Sequence, residues 1–237
     1  MAKEESFISN IAEQIPIYGR LVKASNRAYS SYLNVMRVAI FTDFQNQIDK
    51  SGLSEKDAEL AKKDMAAFIN NATGRGSLLG YEPNSPELNL LFFSPRFVLS
   101  RANIVMNTAT GYASYSPVAR KEALLTVAAY VSAVTTLILL ATIAGADAED
   151  DPRSSDFGKI KIGNLRLDPL AGLSQIVTFF SRMITGQTKS LKTKEISNLG
   201  EDNFGRNRLS VISSFIRSKM SPMASAIVDM ADSPTGK

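Results

Sequence analysis

Polar Lys23, Arg27, Ser30, Asn34 and Arg37 recur at intervals of three and four, and Leu21, Ala28, Tyr32, Val35 and Ala39 form a second, apolar stripe. That spacing predicts one long amphipathic helix over residues 16–47. Ser51-Gly52 breaks the pattern, and Ser54, with Asp57 three residues on, has the form of a helix cap. The helix it opens is expected to reach about Asn71, where the run from Asn70 to Gly76 ends it. A third helical region follows Pro86, restarts at Pro95 and ends near Gly111. A fourth helix starts at Ser116-Pro117 and enters residues 123–146, 24 positions without a charge, closed by Asp147, Glu149, Asp150 and Asp151.

The period then changes from helical to alternating. Lys159-Ile160-Lys161-Ile162 and Leu165-Arg166-Leu167-Asp168 flank Gly163-Asn164, the signature of a β-hairpin with a two-residue turn. A helix is expected from Pro169 to about Thr185, with Gly186 as its terminator. Residues 187–203 read as a polar loop, 206–219 as a basic helix, and a last helix begins at Ser221-Pro222. Seven of the nine prolines follow Ser or Asp. A short polar side chain can accept the orphan N–H groups of a first turn, and proline has no N–H to leave orphaned there. Several of these pairs are therefore expected to open helices.

The pattern predicts a mainly α fold, a helical bundle with one long apolar helix and a small β-hairpin. It divides into an N-terminal helical region at 1–115, the apolar helix at 116–150, and the hairpin with basic helices at 151–237. Composition narrows the chemistry. Among 237 residues there is no Cys, His or Trp. Ser-His-Asp, Cys-His, HExxH and cysteine-zinc sites are thereby excluded within one chain. No enzymatic activity, cofactor, metal or small-molecule substrate is expected. The net charge of +4 is too mild for a dedicated nucleic-acid binder. Residues 1–14 hold Lys3, Glu4, Glu5 and Glu13 with no apolar run, so no secretory leader is expected there.

Two candidate surfaces remain. As a helix, 24 uncharged residues span about 36 Å, against about 30 Å of bilayer hydrocarbon. The candidate membrane residues are Leu124, Val127, Val131, Val134, Leu137, Ile138 and Leu140. Arg120 and Lys121 would place the N-terminal side in the cytosol. The alternative is a core helix buried in an assembly. Residues 158–219 hold 11 basic and 4 acidic residues, and Lys189, Lys192, Lys194, Arg206, Arg208, Arg217 and Lys219 are candidates for an anionic partner, DNA or lipid. The acidic cluster lacks metal-loop spacing and reads as a solvated helix end. Gly74-Arg75-Gly76 lacks the rest of a phosphate loop and reads as a helix terminator.

Several stretches together resemble the segments associated with large polyvalent proteins of tailed bacteriophages and mobile elements. They are Ile15-Pro16-Ile17-Tyr18-Gly19-Arg20-Leu21-Val22, Ala24-Ser25-Asn26-Arg27-Ala28-Tyr29, Leu33-Asn34 with Arg37, 70–76, Leu88-Asn89, Phe92-Phe93-Ser94-Pro95-Arg96, 151–160, Gly163-Asn164, Arg166, Asp168-Pro169, Gly172 and 219–222. The resemblance implies a virion component that enters the host with the genome. It also implies other virion proteins or further copies of the chain as partners, and a location in the virion, then at the host inner membrane or in the cytoplasm.

Overall fold

The computed structural model describes residues 16, 18–77, 91–92, 94–200 and 207–232. The expected helix start at Pro86, the reading of residues 1–14, and Arg206 lie outside the described residues. The chain is mainly α, with seven helices and two small antiparallel sheets among the described residues. It divides into two compact units, residues 1–123 with 219–237 and residues 124–218.

The first unit is built on helices α1 (Tyr18–Asp49), α2 (Glu55–Ala72) and α3 (Pro95–Ala109). Gly52 turns the chain between α1 and α2 at φ +69°. The Ser54 Oγ accepts the Asp57 N–H at 3.2 Å and donates to Asp57 Oδ2 at 2.6 Å, so the expected cap is present. Phe44, Ile48, Ala61, Met65, Phe68 and Ile69 bury the facing stripes of α1 and α2. Tyr112 is edge-on to both Phe68 and Tyr115.

Arg37, expected on a polar stripe, is buried. Its guanidinium donates to Thr73 Oγ1 at 2.6 Å and the Thr73 carbonyl at 2.9 Å. Arg101 Nη1 reaches the Ala72 carbonyl at 3.3 Å. Both cations lie at the C-terminal end of α2, where carbonyls are orphaned and the helix dipole is negative. Gly74 follows at φ +94°, as a terminator should. Gly76 matters for its lack of a side chain. Its N–H donates to the Arg96 carbonyl at 3.1 Å, and a Cβ would collide with the backbone of Arg96 and Ser100 in α3.

The Ser-Pro pairs behave unevenly. Pro95, Pro117 and Pro222 do begin helices, and Ser221 Oγ accepts the Ala224 N–H at 3.1 Å. Ser94 makes no capping bond, because its backbone is left-handed at φ 58°. The two Asp-Pro pairs open turns instead. Asp151 accepts the Arg153 N–H at 2.9 Å. Asp168 gathers the N–H groups of Leu170 and Gly172 and the Ser174 hydroxyl. With Ala171 and Gly172 both at positive φ, the helix expected from Pro169 begins only at Leu173.

Helix α4 (Pro117–Ile143) crosses the division between the units. Its C-terminus is closed by paired bonds from the Ala146 N–H to the Ala141 carbonyl and from Gly145 to Thr142, with Gly145 left-handed at φ +92°. In the second unit, β1 (Asp147–Ala148), β2 (Ile160–Ile162) and β3 (Leu165–Leu167) form an antiparallel sheet in the order β1-β2-β3. The hairpin has the expected turn, with Ile162 opposite Leu165 and Gly163 at φ +57°. Strand β1, a two-residue segment that opens the acidic run with Asp147, carries no alternating pattern that would predict it.

Helix α5 (Leu173–Thr185) ends at Gly186, φ +67°. Residues 187–203, expected as a loop, contain a second hairpin, β4 (Gln187–Lys189) and β5 (Ile196–Asn198). Its strands carry mainly polar side chains, so no apolar alternation marks them; backbone pairing defines them. Helix α6 (Arg208–Arg217) starts at a capping box between Asn207 and Ser210. Helix α7 (Pro222–Asp232) belongs to the first unit.

Candidate functional site

Helix α4 is long and apolar enough to cross a membrane. Its uncharged stretch, residues 123–143, spans about 32 Å at 1.5 Å per residue. Only 11% of its most apolar 18-residue window is buried. Ala119, Ala123 and Val134 are buried, and Val127, Ile138 and Ala141 are half-buried, along one narrow stripe. Of the candidate membrane residues, Val131, Leu137 and Leu140 are exposed, and Leu124, Val127 and Ile138 are half-buried. Val134 is buried. Leu125, Leu139 and Ile143, not singled out from the sequence, are exposed as well. Thr136 and Thr142 return their hydroxyls to the carbonyls four residues back, which satisfies them within the helix. Midway along, Tyr130 Oη donates to the Pro169 carbonyl at 3.0 Å.

Two members of the acidic cluster at the end of α4, Glu149 and Asp151, are taken up by cations. Glu149 accepts from Lys189 at 2.7 Å and Lys194 at 3.0 Å. Burial pushes its carboxyl pKa up, but these bonds and the Asp151 N–H outweigh that and hold it below its ordinary value. Asp151 is gripped by both Nε and Nη2 of Arg153 at 2.9 Å, which lowers its pKa to about 2. Asp156 pairs with Lys159 at 3.1 Å and Arg166 at 3.3 Å. Among the described residues no group of three or more acidic side chains is placed to hold a metal ion.

The candidate anion-contacting residues separate. Lys189 and Lys192 line a cleft of about 930 Å³ in the second unit. Lys194 shares Glu149 with Lys189 but does not line the cleft, and Arg208 and Arg217 stand at opposite ends of α6. Lys219 belongs to the other unit, and burial lowers its pKa, so it is not the solvated cation its position in a basic run suggested. The structure adds Lys159 and Arg182 to the cleft. Lys159 is in the segment expected as a strand and Arg182 is alone on an apolar helix, so neither stood out by local charge density. Arg182 is fixed by bonds to the Arg153 carbonyl at 2.8 Å and Ser155 Oγ at 2.9 Å.

Among the described residues of the blocks behind the virion resemblance, Ala24, Ser25, Asn26, Arg27, Leu33, Asn34 and Arg37 lie within α1, and Gly74, Gly163, Asp168 and Gly172 lie at turns or helix ends. Asn34 accepts from both Arg37 and Arg75, and a Cβ on Gly158 would collide with Leu170. Comparison with known protein families, curated proteins and solved structures finds no match.

Proposed function

We propose that this chain is a non-catalytic component of a bacteriophage virion or mobile element that engages the host inner membrane through α4. One observation carries the membrane part: a 27-residue helix, uncharged over its last 21 positions, leaves most of its apolar surface exposed. A contiguous apolar surface of this kind is uncommon on a water-soluble monomer and marks a membrane or protein contact. Buried area of this type contributes roughly 25 cal/mol per Å². The virion setting is supported by the sequence resemblance, and the non-catalytic reading by the absence of His and Cys.

A second reading is a structural module whose α4 is covered by other copies or partners in an assembly. The Tyr130–Pro169 hydrogen bond favours it, because a chain segment already lies against the middle of the helix. In a spanning arrangement that contact would have to open.

Flotation of the full chain with vesicles of phosphatidylethanolamine and phosphatidylglycerol, followed by alkaline carbonate extraction, tests the proposal. Retention with lipid after extraction is expected. Release into the soluble fraction as an oligomer of defined size overturns insertion in favour of the assembly. Mass spectrometry of purified particles tests the virion setting separately.

A further inference from the structure

The cleft in the second unit has a composition that α4 does not explain. It lies among α5, α6, the β4–β5 hairpin and the loop carrying Ser155 and Lys159. Lys159, Arg182, Lys189 and Lys192 line it, and none of its described lining residues is acidic. Two of these cations have carboxylate partners outside the lining, Lys159 with Asp156 and Lys189 with Glu149. Lys159 also donates to the Ser155 carbonyl at 2.7 Å and Lys189 also lies 3.8 Å from Asp151, so each ammonium keeps about one of its three N–H donors to share. Lys192 is exposed and makes no ion pair among the described residues. Ser155, Ser190 and Ser214 line the cleft with these cations, while the Ser210 hydroxyl is spent in the capping box with Asn207.

Beside this polar rim is an apolar floor. Phe179 of α5 and Phe215 of α6 meet at 4.4 Å between ring centroids, tilted by 30°, and both remain half-buried rather than enclosed. Leu199 and Val211 extend the floor. The volume falls within the range of small-molecule sites, roughly 300–1,000 Å³. Inorganic phosphate alone would leave the aromatic floor empty, and an uncharged apolar ligand would strand the cations.

We propose that the cleft binds an organic phosphate, its phosphate among Arg182, Lys192 and the serine hydroxyls and its carbon portion against Phe179 and Phe215. A phospholipid headgroup with its first acyl carbons and a soluble phosphate ester share this chemistry. The site is formed entirely within the second unit and does not depend on whether α4 inserts in a membrane.

The test is isothermal titration of the full chain with dihexanoyl phosphatidic acid below its micelle concentration, adenosine monophosphate and inorganic phosphate. Saturable binding of at least one organic phosphate is expected, at least tenfold tighter than inorganic phosphate. Lys192→Gln and Phe215→Leu should each weaken it about tenfold or more, with circular dichroism reporting that both variants fold. Lys161→Gln, on β2 outside the cleft lining, should leave it unchanged. Should Phe215→Leu fail to fold, Lys192→Gln and Arg182→Lys carry the test. Binding of the lipid alone identifies a headgroup site, and binding of the nucleotide alone a soluble ligand. No saturable binding by the folded protein, or equal loss in Lys161→Gln, overturns the proposal.

Discussion

Val131 and Val134 are three residues apart in α4, near the middle of its uncharged stretch, and differ sharply in exposure: 51% against 8%. That contrast makes a pair of lysine substitutions decisive. In water, Val131→Lys removes an already half-exposed side chain and places an ammonium at the surface. Its cost to folding should stay below about 1 kcal/mol, since surface changes away from special features are usually small. Val134→Lys forces a cation into a covered position. Even with the long stem reaching outward, the cost should exceed about 2–3 kcal/mol. In a bilayer the ranking collapses. A lysine near a helix centre costs about 2.5–3.5 kcal/mol on insertion scales, and a valine contributes roughly −0.3 to −0.6. Either substitution should then reduce insertion by about 3 kcal/mol, more than a hundredfold at 1.4 kcal/mol per factor of ten. Thermal melts of the full chain measure the first effect; a glycosylation reporter for the isolated segment and vesicle flotation for the full chain measure the second. If Val131→Lys leaves flotation and carbonate resistance unchanged, α4 is not in the hydrocarbon and the membrane reading fails. If both variants melt like the wild type, the burial of Val134 is wrong.

Acid should loosen the second unit. Asp151, at about 2 against an ordinary 3.8, and Glu149, held below its ordinary 4.5, bind fewer protons folded than unfolded. The stability they contribute is therefore fully present above those ordinary values and lost as pH falls toward 2. Melts from pH 7 to 2 should fall through this window, and Asp151→Asn should flatten the profile; a wild-type profile already flat there refutes the ion-pair account. Gly163→Val should cost about 1–2 kcal/mol from the left-handed backbone alone, since nothing lies within 4 Å of its missing Cβ. Hydrogen exchange should then rise at residues 160–167 and nowhere in the first unit. Gly76→Ala should cost about 1–3 kcal/mol or more by overpacking against the first turns of α3, with exchange rising there instead. The purified chain is expected to turn over neither peptidoglycan, nucleic acid nor peptide; a signal abolished by substituting Asp151 or Asp156 would refute this.

The backbone devices that depend on near neighbours were legible in the sequence. The Ser54 cap, the break at Gly52, the Gly163 turn and the stop at Gly186 each involve residues within a few positions, and their chemistry is carried by residue type. The apolar run of α4 was legible for the same reason, because a stretch without charge is a local property. Tertiary structure alone decided which face of that run is covered. Its residues are apolar all round, so no periodicity separates Val134 from Val131, and only packing does. It also decided what the charges do. Arg37 looks like a solvent-facing member of a polar stripe until Thr73, 36 residues away, supplies carbonyl and hydroxyl acceptors. Lys189, Lys192, Arg182 and Lys159 converge on one cleft, whereas Lys219, in the same basic run, folds into the other unit. Local sequence sets the conformations open to each segment, because caps, turns and apolar runs act over a few residues. Which distant side chain satisfies a charge or covers an apolar face depends on how the chain brings separate segments together.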